Sequence, residues 1–171
     1  MRSAYVWSAF SAAGTVLDLV LKNSIEALPD SAFPRTVPGT GEKVNLQKVH
    51  NSGFPMGTLS SRPELVRGFP LFVLTLLSGR YYLLSWKKGR LAEKIGLAAV
   101  IGGGASNVFD RCFRGFVVDY INVKAGPLEK IVFNLGDAMI GAGGFLIAGS
   151  ELLRTAGQAF RKTEETGGDL G

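Results

Sequence analysis

The chain has 171 residues, of which 46% are apolar and only 19% are charged. Charged residues make up about a quarter of an ordinary soluble domain, so this composition predicts long uncharged runs. The net charge is +5, and the basic residues cluster beside these runs rather than on a separate surface. We therefore do not expect nucleic-acid binding. A single cysteine excludes an intrachain disulfide, and one histidine with one cysteine gives little support to a metal site, so we expect no metal.

Four apolar runs predict helices that cross a membrane, because a spanning helix needs about 20 mostly apolar residues. The predicted spans cover residues 4–22, 68–86, 91–110 and 131–153. We expect one membrane domain over residues 1–160, followed by a disordered polar tail over 161–171. The alternative is a domain of four helices that are apolar on all sides and pack together in water.

Basic residues indicate the orientation of these helices. They cluster between the second and third helices and after the fourth, as is typical of cytoplasmic segments. Both termini are then cytoplasmic, and segments 26–67 and 110–130 face outward. Within 26–67, KVNLQKVH alternates polar and apolar residues, which predicts a strand. The predicted fold class is an all-α membrane protein with four transmembrane helices and a small extracytoplasmic β element.

Polar residues gather at the outer ends of the first and third helices. Asp18 and Lys22 have i, i+4 spacing, which favours an ion pair or a pair that orients a loop or substrate. Asn107, Asp110 and Arg111 form NVFDR, which indicates either a helix end held by charges or groups that face neighbouring helices. Three glycines directly upstream allow a helix or ligand to approach closely.

Two acids stand in apolar surroundings near the fourth helix. Asp137 follows Asn134 by three residues, the spacing of a capping box at a helix start. Asp119 lies in the preceding loop or on an interfacial strand within FVVDYI. Two carboxylates in one desolvated site cannot both ionise cheaply, so one keeps a proton. Such a pair provides a general acid and a general base for hydrolysis, and the sequence does not decide which acid holds the proton.

Three other interpretations compete with a carboxylate pair. His50 and Cys112 form a possible nucleophile–base pair, although no signature surrounds the cysteine. Intramembrane acids also mark ion paths, which favours a small ion- or proton-coupled transporter. A non-catalytic membrane scaffold of the same fold is the third alternative. Arg80 lies in the middle of the second predicted span and has no predicted role.

In these and neighbouring residues the chain resembles the bacterial lipoprotein signal peptidases, also called signal peptidase II. Five blocks carry the resemblance in the order that the family has them. They are DLVLK, NSGFPMG, GGGASNVFDR, VVDY and FNLGD. The blocks extend from about Asp18 to Asp137, and the family also has four spans.

The resemblance implies a membrane-embedded aspartyl endopeptidase without metal or cofactor. It implies removal of signal peptides from prolipoproteins by a cut before a diacylglyceryl-modified cysteine. The catalytic residues would be Asp119 and Asp137. Residues that line or brace the site would be Asp18, Lys22, Asn51, Gly53, Gly103, Asn107, Asp110, Arg111, Val117 and Asn134. The three asparagines would hydrogen-bond the peptide backbone of the substrate.

The resemblance also implies partners and a location. The partners would be diacylglyceryl-prolipoproteins, membrane lipids and globomycin-type cyclic peptide inhibitors. The location would be the cytoplasmic (inner) membrane of a bacterium, with the site at its outer face. The chain departs from the family pattern at Ser106, usually Gly, at Gly136, usually Ala, and at residues 54–56, where FPM replaces an Ala-Ala-aromatic run. We expect these changes to affect pocket shape and rate, since they remove no ionisable group.

Overall fold

The computed structural model describes residues 2–54 and 58–167, which form four long α-helices and a small sheet. The helices are α1 (Arg2–Glu26), α2 (Pro63–Ser85), α3 (Leu91–Phe113) and α4 (Leu135–Gly167). The predicted combination of four helices with a small β element is confirmed. Residues 55–57, which include most of the FPM departure, lie outside the described residues.

The last helix extends beyond its predicted end. We expected the fourth span to end at residue 153 and a disordered tail to begin at 161, but α4 continues to Gly167. Its last turns contain Ala, Gln, Arg, Lys and Glu, which are good helix formers, and a polar composition alone does not end a helix. Residues 168–171 lie outside the described residues.

The predicted transmembrane character of the helices is not matched by their hydropathy. Within residues 2–54 and 58–167, no helix has a stretch that is both long and apolar enough to cross a membrane. Glycines and charged residues interrupt the apolar runs from which the spans were predicted.

Four antiparallel strands form one sheet in the order β1-β2-β3-β4. The strands are β1 (Arg35–Thr36), β2 (Val44–Asn51), β3 (Val117–Val123) and β4 (Val132–Phe133). The alternating stretch predicted as a strand is β2, but the β element is not confined to segment 26–67. Its other long strand, β3, comes from the connection between α3 and α4, and places Asp119 opposite Val49. Asp119 therefore lies on a strand rather than in a loop.

Helix α3 packs against the other three helices and occupies the middle of the bundle. Glycines allow α3 and α4 to approach at two levels. A Cβ atom built on Gly103 would lie 2.2 Å from the carbonyl oxygen of Gly136. One built on Gly143 would lie 2.5 Å from the carbonyl oxygen of Gly96. Because both obstacles are backbone atoms that cannot rotate away, these crossings require residues without a side chain.

The interior of the bundle is polar, whereas much of its surface is apolar. Asp18, Lys22, Ser106 and Asp110 are fully buried between the helices. Large apolar side chains face outward on every helix, among them Val16, Phe72, Phe109 and Phe145. A conventional apolar cluster is found where the sheet meets the bundle, around Ile25, Val118 and Tyr120. This distribution reverses the usual preference of charged residues for the surface.

Adjacent glycines in α4 provide a test of the close helix crossing. We expect Gly143→Ala to lower stability by about 1–3 kcal/mol, because the new methyl group would press on the Gly96 carbonyl and on Val100 Cγ2. Gly144→Ala is the control, since no atom lies within 4 Å of a Cβ at that position. It should leave stability unchanged or raise it by up to about 1 kcal/mol through helix propensity. Thermal unfolding measures both; equal effects of the two substitutions would contradict the crossing.

Candidate active site

Asp119 lies on β3 with 4% of its surface exposed. Its two carboxyl oxygens receive hydrogen bonds from two asparagine amides. Asn51 Nδ2 donates to Oδ2 at 3.2 Å, and Asn134 Nδ2 donates to Oδ1 at 2.7 Å. The β2–β3 pairing aligns Asn51 with Val117, two residues before the acid, and so brings the first donor into reach. The carboxyl group is therefore held in one orientation by residues of β2 and the start of α4.

Asp137 lies in the first turn of α4 and forms the predicted capping box with Asn134. The Asp137 backbone N–H donates to Asn134 Oδ1 at 2.8 Å, and the Asn134 backbone N–H donates to Asp137 Oδ2 at 3.3 Å. Asn107 Nδ2 of α3 donates to the other carboxyl oxygen at 2.8 Å. The capping interaction and a position in the cavity are thus compatible, because one carboxyl oxygen caps the helix and the other accepts from α3.

Both acids line one cavity of about 350 Å³. Asn51, Arg111 and Val117 also line it. The rest of the lining is mainly apolar and consists of Ile131, Val132, Phe133, Ile140 and Gly141. The two carboxyl groups thus share a site from which much of the water is excluded.

The environment of Asp119 favours its protonated form. The pKa of its carboxyl group is raised from 3.8 to about 6, first by burial and then by the neighbouring charge of Asp137. The hydrogen bonds from Asn51 and Asn134 act in the opposite direction, since they stabilise the charged carboxylate. Because the charge on Asp137 is one of the causes, a charged Asp137 favours the proton on Asp119 up to a pH of about 6.

A buried ammonium group lies behind the acids. Lys22 Nζ is 2.9 Å from Asp18 Oδ2 and 3.1 Å from Asp110 Oδ2, and all three side chains are fully buried. The predicted i, i+4 pair is therefore present and gains a second carboxylate from α3. Lys22 also donates to Ser106 Oγ at 3.0 Å and to Asn107 Oδ1 at 2.8 Å. Through Asn107, this cluster contacts Asp137.

The same cluster fixes the strand that carries Asp119. Asp110 Oδ2 accepts from the backbone N–H of Val118 at 3.3 Å. The Tyr120 hydroxyl donates to Asp18 Oδ1 at 2.9 Å and accepts from the backbone N–H of Leu135 at 3.1 Å. Sequence reasoning missed Tyr120. The available signal was strand alternation, which directs residues 119 and 120 to opposite faces and so points the tyrosine away from the cavity.

Arg111 connects α3 to the loop after β2. Its Nη2 donates to the Gly53 carbonyl at 3.0 Å and its Nη1 to the Asn107 carbonyl at 3.4 Å. The guanidinium carbon lies 5.8 Å from the centre of the Phe54 ring. Gly53 in turn donates its backbone N–H to Asn51 Oδ1 at 3.0 Å, which orients the amide that contacts Asp119. Arg111 and Gly53 thus position Asn51.

All twelve predicted site residues belong to this region, but only some line the cavity. The five that line it are Asn51, Arg111, Val117, Asp119 and Asp137. The others support these residues from behind, and Gly103 acts by allowing α3 to approach α4. Each of the three asparagines directs its amide nitrogen at an acid, and hydrogen bonds from them to a substrate backbone stay a prediction.

Three other residues singled out in the sequence do not line the cavity that both acids share. His50 Nε2 pairs with Glu26 Oε1 at 2.8 Å, and its ring stacks on Phe116 at 4.1 Å. Cys112 is exposed on α3, so the structure gives the proposed Cys–His pair no support. Arg80 forms ion pairs with Glu93, which is almost fully buried, and with Glu151. These contacts join α2, α3 and α4 near the basic connection between α2 and α3.

Comparisons with known proteins agree on one family. Residues 10–153 match the family model described as signal peptidase (SPase) II. The lipoprotein signal peptidase of Moorella thermoacetica is 31% identical over 127 residues, which are 74% of this chain and 80% of the relative. That of Sulfurihydrogenibium sp. is 32% identical over 142 residues, which are 80% of this chain and 85% of the relative.

Two solved structures, each described as a bacterial membrane enzyme determined by the in meso method, have a similar fold. One has a TM-score of 0.73 at 20% identity and covers 92% of both chains. The other has a TM-score of 0.67 at 19% identity and covers 89% of this chain and 94% of the other.

The buried ammonium group provides a stability test of the site. We expect Lys22→Met to lower the free energy of unfolding by about 3–5 kcal/mol, because Asp18 and Asp110 would stay buried without their cation. Lys43→Met is the control, since Lys43 is exposed just before β2; its effect should remain within about 0.5 kcal/mol. Chemical unfolding compares the two variants. A loss below about 1 kcal/mol for Lys22→Met would contradict the assigned ion pairs.

Proposed function

Because the chain belongs to the signal peptidase II family, it is a peptidase of lipoprotein signal peptides, and we propose that Asp119 and Asp137 are its catalytic dyad. The substrate is a prolipoprotein whose cysteine carries diacylglycerol, and the cut falls directly before that cysteine. The observation that carries this proposal is the cavity that both carboxyl groups line. The family match does not favour the transporter alternative.

The protonation of the two acids supports a division of roles. Asp119 holds the proton, since burial and the Asp137 charge raise its pKa to about 6. Asp137 is the general base, and it removes a proton from a water molecule as the water oxygen attacks the scissile carbonyl carbon. Asp119 gives its proton to the carbonyl oxygen at the same time. The product of this step is a tetrahedral diol beside an ionised Asp119 and a protonated Asp137.

The second step restores both acids. Asp137 gives its proton to the leaving amide nitrogen, and the bond between carbon and nitrogen breaks. Asp119 accepts a proton from one hydroxyl group of the diol, which becomes the new carboxyl group of the signal peptide. Protons therefore balance over the cycle, and the dyad returns to its starting state. Asn51, Asn107 and Asn134 hold the two carboxyl groups in place throughout.

The mixed lining of the cavity fits a lipid-modified peptide. The acids and Arg111 provide polar groups that suit the scissile peptide. Ile131, Phe133 and Ile140 belong to the apolar part of the lining, which suits the glyceryl group and the first part of the acyl chains. Burial of apolar surface in this way would supply much of the binding free energy, at about 25 cal/mol per Å².

A location in the cytoplasmic membrane is part of the proposal. Its support is the apolar surface of the bundle: Phe145 of α4 is 80% exposed and Phe72 of α2 is 60% exposed, while Asp18, Lys22 and Asp110 are buried between the helices. The basic residues between α2 and α3 favour a cytoplasmic location for that connection and for both termini. The sheet and the two acids would then lie at the outer face, where a diacylglyceryl group can enter from the bilayer.

Removing either acid tests the dyad. Asp119→Asn and Asp137→Asn should each lower kcat by at least about a thousandfold, since each loses a proton-transfer step. Asp30→Asn is the matched control because the Asp30 side chain is 92% exposed; it should retain activity within about twofold. The assay follows release of the signal peptide from a lipidated precursor peptide, with globomycin as inhibitor. Substantial cleavage by either dyad variant would overturn the assignment.

The pH dependence of cleavage tests which acid holds the proton. Below pH about 6 Asp119 is protonated, and above it the proton is lost and both acids are charged. We therefore expect kcat/KM to fall about tenfold per pH unit at higher pH, starting near 6. The corresponding fall in kcat should begin at higher pH, because bound substrate excludes more water. A kcat/KM that stays constant between pH 6 and 9 would contradict a proton on Asp119.

A further inference from the structure

Ser106 lies in the buried cluster behind the acids and has two fixed hydrogen bonds. Its hydroxyl donates to Asp18 Oδ2 at 2.6 Å and accepts from Lys22 Nζ at 3.0 Å. Ser106 is fully buried. Because an ammonium group has no acceptor, the single hydroxyl proton must point to Asp18. The hydroxyl therefore fixes the separation between the ends of the Asp18 and Lys22 side chains.

The position of Lys22 determines the orientation of the Asn107 amide. Lys22 Nζ only donates, so Asn107 must present its oxygen, Oδ1, to the ammonium group at 2.8 Å. Its amide nitrogen is then directed to Asp137 Oδ1, also at 2.8 Å. If Lys22 moved away, the amide would be free to rotate, and an oxygen facing Asp137 would repel the carboxylate. The donor to Asp137 thus depends on the location of a lysine that does not line the cavity.

Gly136 leaves room for this arrangement. A Cβ atom at position 136 would lie 2.9 Å from Asp18 Oδ2 and 3.0 Å from Asn134 Oδ1. Asp18 Oδ2 is the same oxygen that accepts from Ser106. The hydroxyl group of Ser106 and the absence of a side chain at Gly136 therefore both affect the same oxygen, Asp18 Oδ2.

We propose that Ser106 is a positioning residue for catalysis, which holds Lys22 so that the Asn107 amide donates to Asp137. This inference rests on the proposed role of Asp137 as the general base. Ser106 itself contacts neither the cavity nor the reacting atoms.

The cluster would keep its main ion pairs without the hydroxyl. Lys22 retains the carboxylates of Asp18 and Asp110, so Ser106→Ala should fold. Without the hydroxyl, the ammonium group can shift towards these two carboxylates and away from Asn107 Oδ1. The expected result is a fall in kcat of about tenfold with KM changed by less than about twofold. Ser24→Ala is the control, because Ser24 lies on α1 close to Lys22 but bonds at the surface to the Val20 carbonyl.

A double-mutant cycle separates positioning from simple destabilisation. If Ser106 acts through Asn107, Ser106→Ala should lower kcat no further in an Asn107→Ala background, because no amide remains to orient. A purely structural role would lower activity by the same factor in both backgrounds. Ser106→Thr keeps the hydroxyl and should retain kcat within about threefold. Unfolding temperatures of all variants identify any that do not fold.

Three results would overturn the proposal. They are a Ser106→Ala enzyme with the kcat of wild type, additive effects with Asn107→Ala, and a Ser106→Thr enzyme as slow as Ser106→Ala. Asp119→Asn is included in each series. If it is inactive while Ser106→Ala behaves as wild type, the positioning role is wrong and the dyad stands; if it cleaves normally, the dyad itself is wrong.

Discussion

The ammonium group of Lys22 is the interaction on which the arrangement of the site depends. Removing a charge from water is costly, and this cost is offset only because two carboxylates lie within 3.1 Å. One carboxylate, Asp110, also binds the β3 backbone, and the other, Asp18, binds the Tyr120 hydroxyl, which contacts the first turn of α4. A single buried cation thus fixes the strand and the helix that carry the two acids.

The exclusion of water that strengthens the ion pairs of Lys22 also determines the protonation of the two acids. Asp119 is buried beside a second carboxylate, so its pKa rises to about 6. Asparagine donors keep both carboxyl groups oriented without adding charge. A neutral donor limits the rise of the pKa, whereas a cation at the same place would suppress it. The site therefore keeps a proton on Asp119 up to a pH of about 6, well above the range of an ordinary aspartate.

Local sequence patterns were sufficient for the helices, for β2, for the Asp18–Lys22 pair and for the capping box at Asn134, since each depends on residues close in the chain. The pairing of β2 with β3 could not be predicted. It places Val49 opposite Asp119, which is far away in the sequence, and no local sequence pattern indicates such a pairing. The roles of Tyr120 and Ser106 depend on that assembled interior. The predicted spans relied on runs of apolar residues, but no helix within residues 2–54 and 58–167 is long and apolar enough to cross a membrane.

The most direct test of the account is to observe the proton shared by the dyad. Infrared difference spectroscopy on the full chain, with isotope-labelled aspartate, detects the carbonyl band of a protonated carboxyl group. The account predicts that such a band persists up to pH about 6, disappears above it and is absent from Asp119→Asn. The ordinary pKa of an aspartate is about 4. If no aspartate remains protonated above this pH, the two acids do not share a desolvated site.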